Sequence, residues 1–72
     1  MAEIKFEIVK KIGVLSTSEK GWTKEFNLVS WNDRPAKYDL RDWDPQHEVM
    51  SKGITLTQEE IEVLKSLLAA LD

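Results

Sequence analysis

One seven-residue stretch of this sequence carries most of the chemistry it could do. In Lys37-Tyr38-Asp39-Leu40-Arg41-Asp42-Trp43, the alternation of a strand sends Lys37, Asp39, Arg41 and Trp43 to one face and Tyr38 and Leu40 to the other. Cations alternating with an indole suit unpaired nucleic acid. Exposed bases stack on aromatic faces whatever their identity, and Lys and Arg neutralise the phosphates along the path. Catalysis has less to draw on. His47, the single histidine, lies near Asp44 and Glu48 in a polar stretch, a setting that suits a solvated side chain. There is no Gly-rich phosphate loop, nucleophile elbow or HExxH pair. One histidine, no cysteine and scattered carboxylates define no metal site. The expectation is a non-enzyme with no catalytic residue, no metal and no cofactor.

The elements that must position these residues follow from periodicity. Ile4 to Ser16 reads as a long strand with Phe6, Ile8, Ile12 and Val14 on one side, interrupted by Lys10, and Val9 and Leu15 on the other. Thr17 to Gly21 reads as a turn, Trp22 to Trp31 as a second strand, and Asn32-Asp33-Arg34-Pro35 as another turn. Lys37 to Trp43 is the third strand, the loop opened by Asp44-Pro45 runs through His47 to Ser51, and Lys52 to Leu56 is a short fourth strand. Thr57 and Glu60 have the spacing of a capping box, which starts a helix over about Gln58–Leu71. Four strands and one helix make an α+β fold, ββββα, in a single domain over residues 1–72.

A single helix covers one face of such a sheet, so the other face is solvated or bound to a partner. Tyr38 and Leu40 suit the side under the helix, which leaves Lys37, Arg41 and Trp43 on the open side. The second strand is ambiguous. Trp22, Lys24, Phe26, Leu28 and Ser30 share one side of it, and Thr23, Glu25, Asn27, Val29 and Trp31 the other. If Val29 and Trp31 are core, Lys24 and Phe26 join the open face. Two functions fit that surface: binding of single-stranded nucleic acid, and a protein-interaction module that grips a peptide with the same aromatics. Three tryptophans in so short a chain also fit a plain core.

Length and charge narrow the rest. A chain of 72 residues with no cysteine lacks disulfides, and a domain this small usually needs a staple. By elimination the staple is a second subunit. The helix supports this, because Ile61, Val63, Leu64, Leu67, Leu68, Ala70 and Leu71 cover about half its cylinder, more than one sheet requires. Val63, Leu64, Leu67, Leu68 and Leu71 are the expected dimer contacts. The net charge of −3 resides in residues 57–72, so residues 1–56 are neutral overall and free to present a local basic surface. No apolar run approaches bilayer length and no signal-peptide core opens the chain, so the expected location is cytoplasmic, with no membrane partner.

The stretch Lys37 to Trp43 resembles the hydrophobic-Asp-Ile-Arg-Glu-Tyr strand of the transcriptional coactivator family called positive cofactor four. Ser51-Lys52-Gly53-Ile54-Thr55-Leu56-Thr57 is similar to that family's Lys-Lys-Gly-Ile-Ser-Leu segment, and an amphipathic helix follows in both. With Gly21 to Glu25 and Val29 to Asp33, the chain looks most like the bacterial YdbC-like branch. The resemblance implies a curved four-stranded antiparallel sheet with a C-terminal helix, paired as a homodimer that binds single-stranded DNA, or RNA, with little sequence preference. It implies backbone contacts from Arg41 and Lys52 and an aromatic contact from Trp43. Asp44 stands where the eukaryotic pattern has a second aromatic, so one platform is lost or supplied elsewhere, for instance by Phe26 or Trp22. The second hairpin departs from the family's phenylalanine-lysine-glycine-lysine turn, so Arg34 and Lys37 are its only comparable charges. The serine-rich regulatory region of the eukaryotic coactivator is absent, so a role in transcription is carried over less firmly than binding. The expected nucleic-acid contacts are therefore Lys24, Phe26, Arg34, Lys37, Arg41, Trp43 and Lys52.

Overall fold

The computed structural model describes residues 5–71. In chain order these form β1 (Phe6–Thr17), β2 (Thr23–Trp31), β3 (Lys37–Trp43), β4 (Ile54–Leu56) and α1 (Gln58–Ala69). The strands make one antiparallel sheet in the order β1-β2-β3-β4, so the expected ββββα architecture is observed. Ile4, read as the start of the first strand, lies outside the described residues. Strand four is shorter than expected because it pairs only from Ile54.

Turn chemistry sets the hairpins. Gly21 turns β1 into β2 at φ 85°, a region open to glycine, and its N–H donates to the Ser18 carbonyl. The second hairpin turns at Asn32 and Asp33, both at positive φ, closed by the Arg34 N–H donating to the Trp31 carbonyl. Two consecutive left-handed residues suit the right-handed twist of the strands they join, and Asn and Asp tolerate that region best among non-glycines. Pro35 follows the turn rather than making it.

β1 departs most from simple alternation. Its register against β2 shifts between Ile8 and Lys10, between Lys11 and Gly13, and between Val14 and Ser16. Each bulge adds a residue to β1 and increases the local twist and bend. Ile12 therefore leaves the row expected for it, and Lys11 takes the position opposite Asn27. The sheet curls until the Phe6 ring of β1 comes within 5.1 Å of Trp43 on β3, across β2.

The helix starts as read. The Thr57 side chain accepts from the Glu60 N–H while the Glu60 carboxylate accepts from the Thr57 N–H. α1 packs on β3 and β4 through Ile61, and it ends at Ala69 with Ala70 as its cap, two residues short of the expected Leu71. Tyr38 and Leu40 lie on this side, opposite Leu56 and Ile54 of β4. Gly53 lets the chain enter β4, since a Cβ there would overlap the Arg41 Cβ and the Leu40 carbonyl oxygen. Gly53→Ala is expected to destabilise the fold by about 1–3 kcal/mol through this overlap, read as a lower urea midpoint.

Candidate nucleic-acid interface

The inner face of the curled sheet, away from α1, is built from strand positions that pair across the ladder. Val29 lies opposite Lys37, Asn27 opposite Asp39, Glu25 opposite Arg41, and Thr23 opposite Trp43. Directly opposed residues in an antiparallel pair share a face. Val29 and Trp31 therefore stand on the same side as Arg41 and Trp43. Phe26 lies opposite Leu40 and Lys24 opposite Asp42, so both belong to the helix side. This corrects the expectation that Lys24 and Phe26 join the open face. The Phe26 ring stacks on Tyr38 at 5.7 Å, and Lys24 borders a separate hollow with Lys20, Trp22 and Asp42 beside the first hairpin.

Arg41 sits at the centre of the inner face. Its Nε and Nη2 donate to the two carboxylate oxygens of Asp39, each at 2.6 Å. Asp39 is wholly buried and the Arg41 side chain is 12% exposed. Thr55 of β4 adds a hydrogen bond to Asp39 at 3.3 Å. The guanidinium lies 4.5 Å from the centroid of the Trp31 ring, and Nη1 points toward Met50 and the Ser51 carbonyl. Trp31, Asn32, Arg41, Met50, Ser51, Lys52 and Thr55 together line an open groove of about 490 Å³. Lys52 is exposed there.

Trp43 is not the exposed platform expected of it. Its side chain is fully buried, closed in by Phe6 at 5.1 Å and by the His47 ring stacked at 5.8 Å. Trp31, half-buried on the rim of the groove, is the aromatic beside Arg41. The sequence carried one signal for this site: Asp39 and Arg41 are two apart on a strand, so opposite charges meet on one face. Arg34 and Lys37 are exposed near the second hairpin, where they border a hollow with Leu28, Tyr38 and Gln58. Lys52 lines the groove together with Arg41. Lys24, Phe26, Arg34 and Lys37 lie outside the groove.

His47, expected to be solvated, instead ties the loop between β3 and β4 to the sheet. Its backbone takes φ 57°, and its Nε2 lies 2.7 Å from Oε2 of buried Glu25. Thr23 Oγ1 and Asn27 Nδ2 also donate to the Glu25 carboxylate. Burial works against the charged form, but these bonds and the His47 charge outweigh it, so Glu25 titrates below its ordinary value. Asp44 braces the same loop by accepting from the backbone N–H groups of Glu48 and Val49. The Val49 bond leads the causes that hold the Asp44 carboxyl below its usual range. The loop so fixed delivers Met50, Ser51 and Lys52 to the groove.

A family model described as Transcriptional Coactivator p15 (PC4) matches residues 18–67, which hold β2, β3, β4 and most of α1. A protein of Treponema pallidum (strain Nichols), described as uncharacterized, is 47% identical over 66 residues, covering 92% of this chain and 78% of its own.

Because folding lowers the Glu25 pKa, its charged form stabilises the fold above the unfolded value and that contribution disappears as pH falls through the folded value. The melting temperature is expected to drop on acidification from about pH 5 to about pH 3. Glu25→Gln should remove much of that slope while lowering stability at neutral pH by about 1–3 kcal/mol, as read by thermal melts across a pH series.

Proposed function

This chain belongs to the transcriptional coactivator p15 (PC4) family, and on that premise we propose that it binds single-stranded DNA as a homodimer, with little sequence preference. The family ties the chain to nucleic-acid binding and to transcription. The observation that carries the finer reading is the groove on the inner sheet face, which the rim aromatic Trp31 and the exposed cation Lys52 both line. A base stacks on the half-buried indole at the rim and Lys52 neutralises a neighbouring phosphate. A duplex offers no unstacked base to such a rim, so the preference is for single strands. The chemistry is stoichiometric binding, with no bond made or broken. Arg34 and Lys37 near the second hairpin, and Lys20 beside the first, would guide the backbone beyond the groove.

The dimer reading rests on the helix. Val63, Leu67, Leu68 and Leu71 are more than half exposed. Ile54, Leu56, Val63, Leu64 and Leu67 line an apolar hollow between β4 and α1. An apolar surface of this kind on a small soluble protein marks a contact, and a second copy of the same helix is the self-complementary occupant a two-fold dimer requires.

Titration of tryptophan fluorescence with a 20-base oligothymidine should show quenching that weakens steeply with salt, whereas a 20-base-pair duplex should produce little. RNA of matching sequence tests the choice of sugar. Binding that ignores salt, or tighter binding of the duplex, would sink the proposal in favour of a protein-interaction surface. The double variant Leu67→Glu/Leu68→Glu should sediment as a monomer where the parent sediments as a dimer. A parent that is already monomeric at micromolar concentration would overturn the dimer.

A further inference from the structure

The geometry of Arg41 does not suit the role that its position in the strand motif suggests. A phosphate-binding arginine offers its guanidinium fork to solvent. Here the fork is closed on Asp39 through two bonds of 2.6 Å, inside the protein. Asp39 has no solvent exposure, and its remaining contact is the Thr55 hydroxyl. An Asp–Arg pair held in this way is electrically neutral at the distance of a bound backbone. Breaking it to reach a phosphate would leave a carboxylate charged and alone in the sheet, a state that strongly disfavours the exchange. The opposite charge in contact with Arg41 is Asp39 on its own strand. From β2 it meets the Trp31 ring, and from the loop Met50 and the Ser51 carbonyl. Glu25, its partner across the ladder, is occupied by Thr23, Asn27 and His47.

The guanidinium does have a further contact: its Cζ lies over the Trp31 ring, 4.5 Å from the centroid. An arginine so placed, together with the Phe6 ring at 6.0 Å, restrains the half-buried indole that lines the rim of the groove. Gly53 makes the arrangement possible by letting β4 approach Arg41 without a side chain between them.

We propose that Arg41 is a positioning residue: its charge is cancelled by Asp39, it holds Trp31 in place for base stacking, and Lys52 rather than Arg41 neutralises the phosphate at this point of the groove. The inference rests on the reading of the groove as a single-strand site. It separates two effects that are usually mixed, since an ion pair to phosphate releases a counterion and a stacking platform does not.

The test is the salt dependence of oligothymidine affinity, measured by fluorescence anisotropy for the parent and three variants. Lys52→Ala should weaken binding and make the slope of log affinity against log salt shallower by about 0.7, one phosphate contact on a single strand. Arg41→Gln should weaken binding by about tenfold through the disordered indole, with the parent slope retained. A slope shallower by about 0.7 for Arg41→Gln would make it a direct phosphate contact and overturn the proposal. Should Arg41→Gln not fold, Asp39→Asn decides the matter. With its counter-charge removed, Arg41 becomes available to the backbone and the slope should steepen by about the same amount; an unchanged slope would overturn the proposal. A parent protein with no affinity for the oligonucleotide would overturn the function itself, an outcome distinct from a wrong slope in a variant that binds.

Discussion

A carboxylate without solvent exposure cannot remain charged in the middle of a sheet unless a cation is held against it, and Asp39 is such a carboxylate. Much of the inner face follows from satisfying it. Arg41, two residues along β3, closes on Asp39 with both arms of its fork. The Cζ of the closed fork lies over the Trp31 ring. Thr55 must stand across from Asp39 to supply the further hydrogen bond, which fixes the register of β4, and β4 can approach only because residue 53 has no side chain. The helix start at Thr57 is then two residues from a fixed point. One buried ion pair thus links strand pairing, the entry to the helix and the aromatic on the groove rim. Its net contribution to stability is small or even negative against an apolar replacement, whereas loss of one partner alone is severe. The pair specifies an arrangement more than it strengthens one.

The elements were legible in the sequence because each has a local signature. Lys37 to Trp43 alternates, Asn32-Asp33 supplies two residues that tolerate positive φ, and Thr57 with Glu60 marks the helix start within one residue. The faces of β2 were not legible, for a physical reason. Its two sides are Lys24-Phe26-Leu28 and Glu25-Asn27-Val29, and neither is clearly apolar. Ordinary patterning assigns charged and amide side chains to solvent. In this fold Glu25, Asn27 and Asp39 are among the most buried residues, because the sheet curls around them and they satisfy one another and the loop. That curl comes from three bulges in β1, which blur the alternation that would have announced them. Bulges and buried polar clusters hide the same information twice.

The candidate site was half legible for the same reason. Arg41 and Lys52 could be found from the strand and the Lys-Gly step. Trp31 and Trp43 exchanged roles, since whether a tryptophan lines a rim or fills a core depends on which strands cross it. Phe6 and His47 bury Trp43 from two directions, one by the curl of β1 and one by the loop. A lone histidine in a polar loop gives no local hint of a partner 22 residues away on another strand. What the sequence did show there, Asp44-Pro45 as a loop opener, is borne out by the two backbone N–H groups that Asp44 accepts.

The distribution of burial also bears on why the proposed function would need two copies. Among the described residues, the fully or nearly buried hydrophobics are Val29, Trp43 and Ile61, and only Ile61 belongs to the helix. That is a slender apolar core for a chain that spends much of its interior on Glu25, Asn27, Asp39 and Arg41. Polar networks of this kind fix geometry well, but their net contribution is modest because each group gave up water to enter. The apolar surface that would make up the difference is present, but on the outside, along Val63, Leu67, Leu68 and Leu71. Burial of apolar area stabilises at about 25 cal/mol per Å² wherever it occurs, inside one chain or between two. A sheet whose inner face is given over to positioning an arginine and an indole can therefore stay folded if its helix finds a partner. On this reading the acidic, leucine-rich helix and the polar inner face are two halves of one arrangement: the first supplies stability through association, so that the second is free to be built for binding.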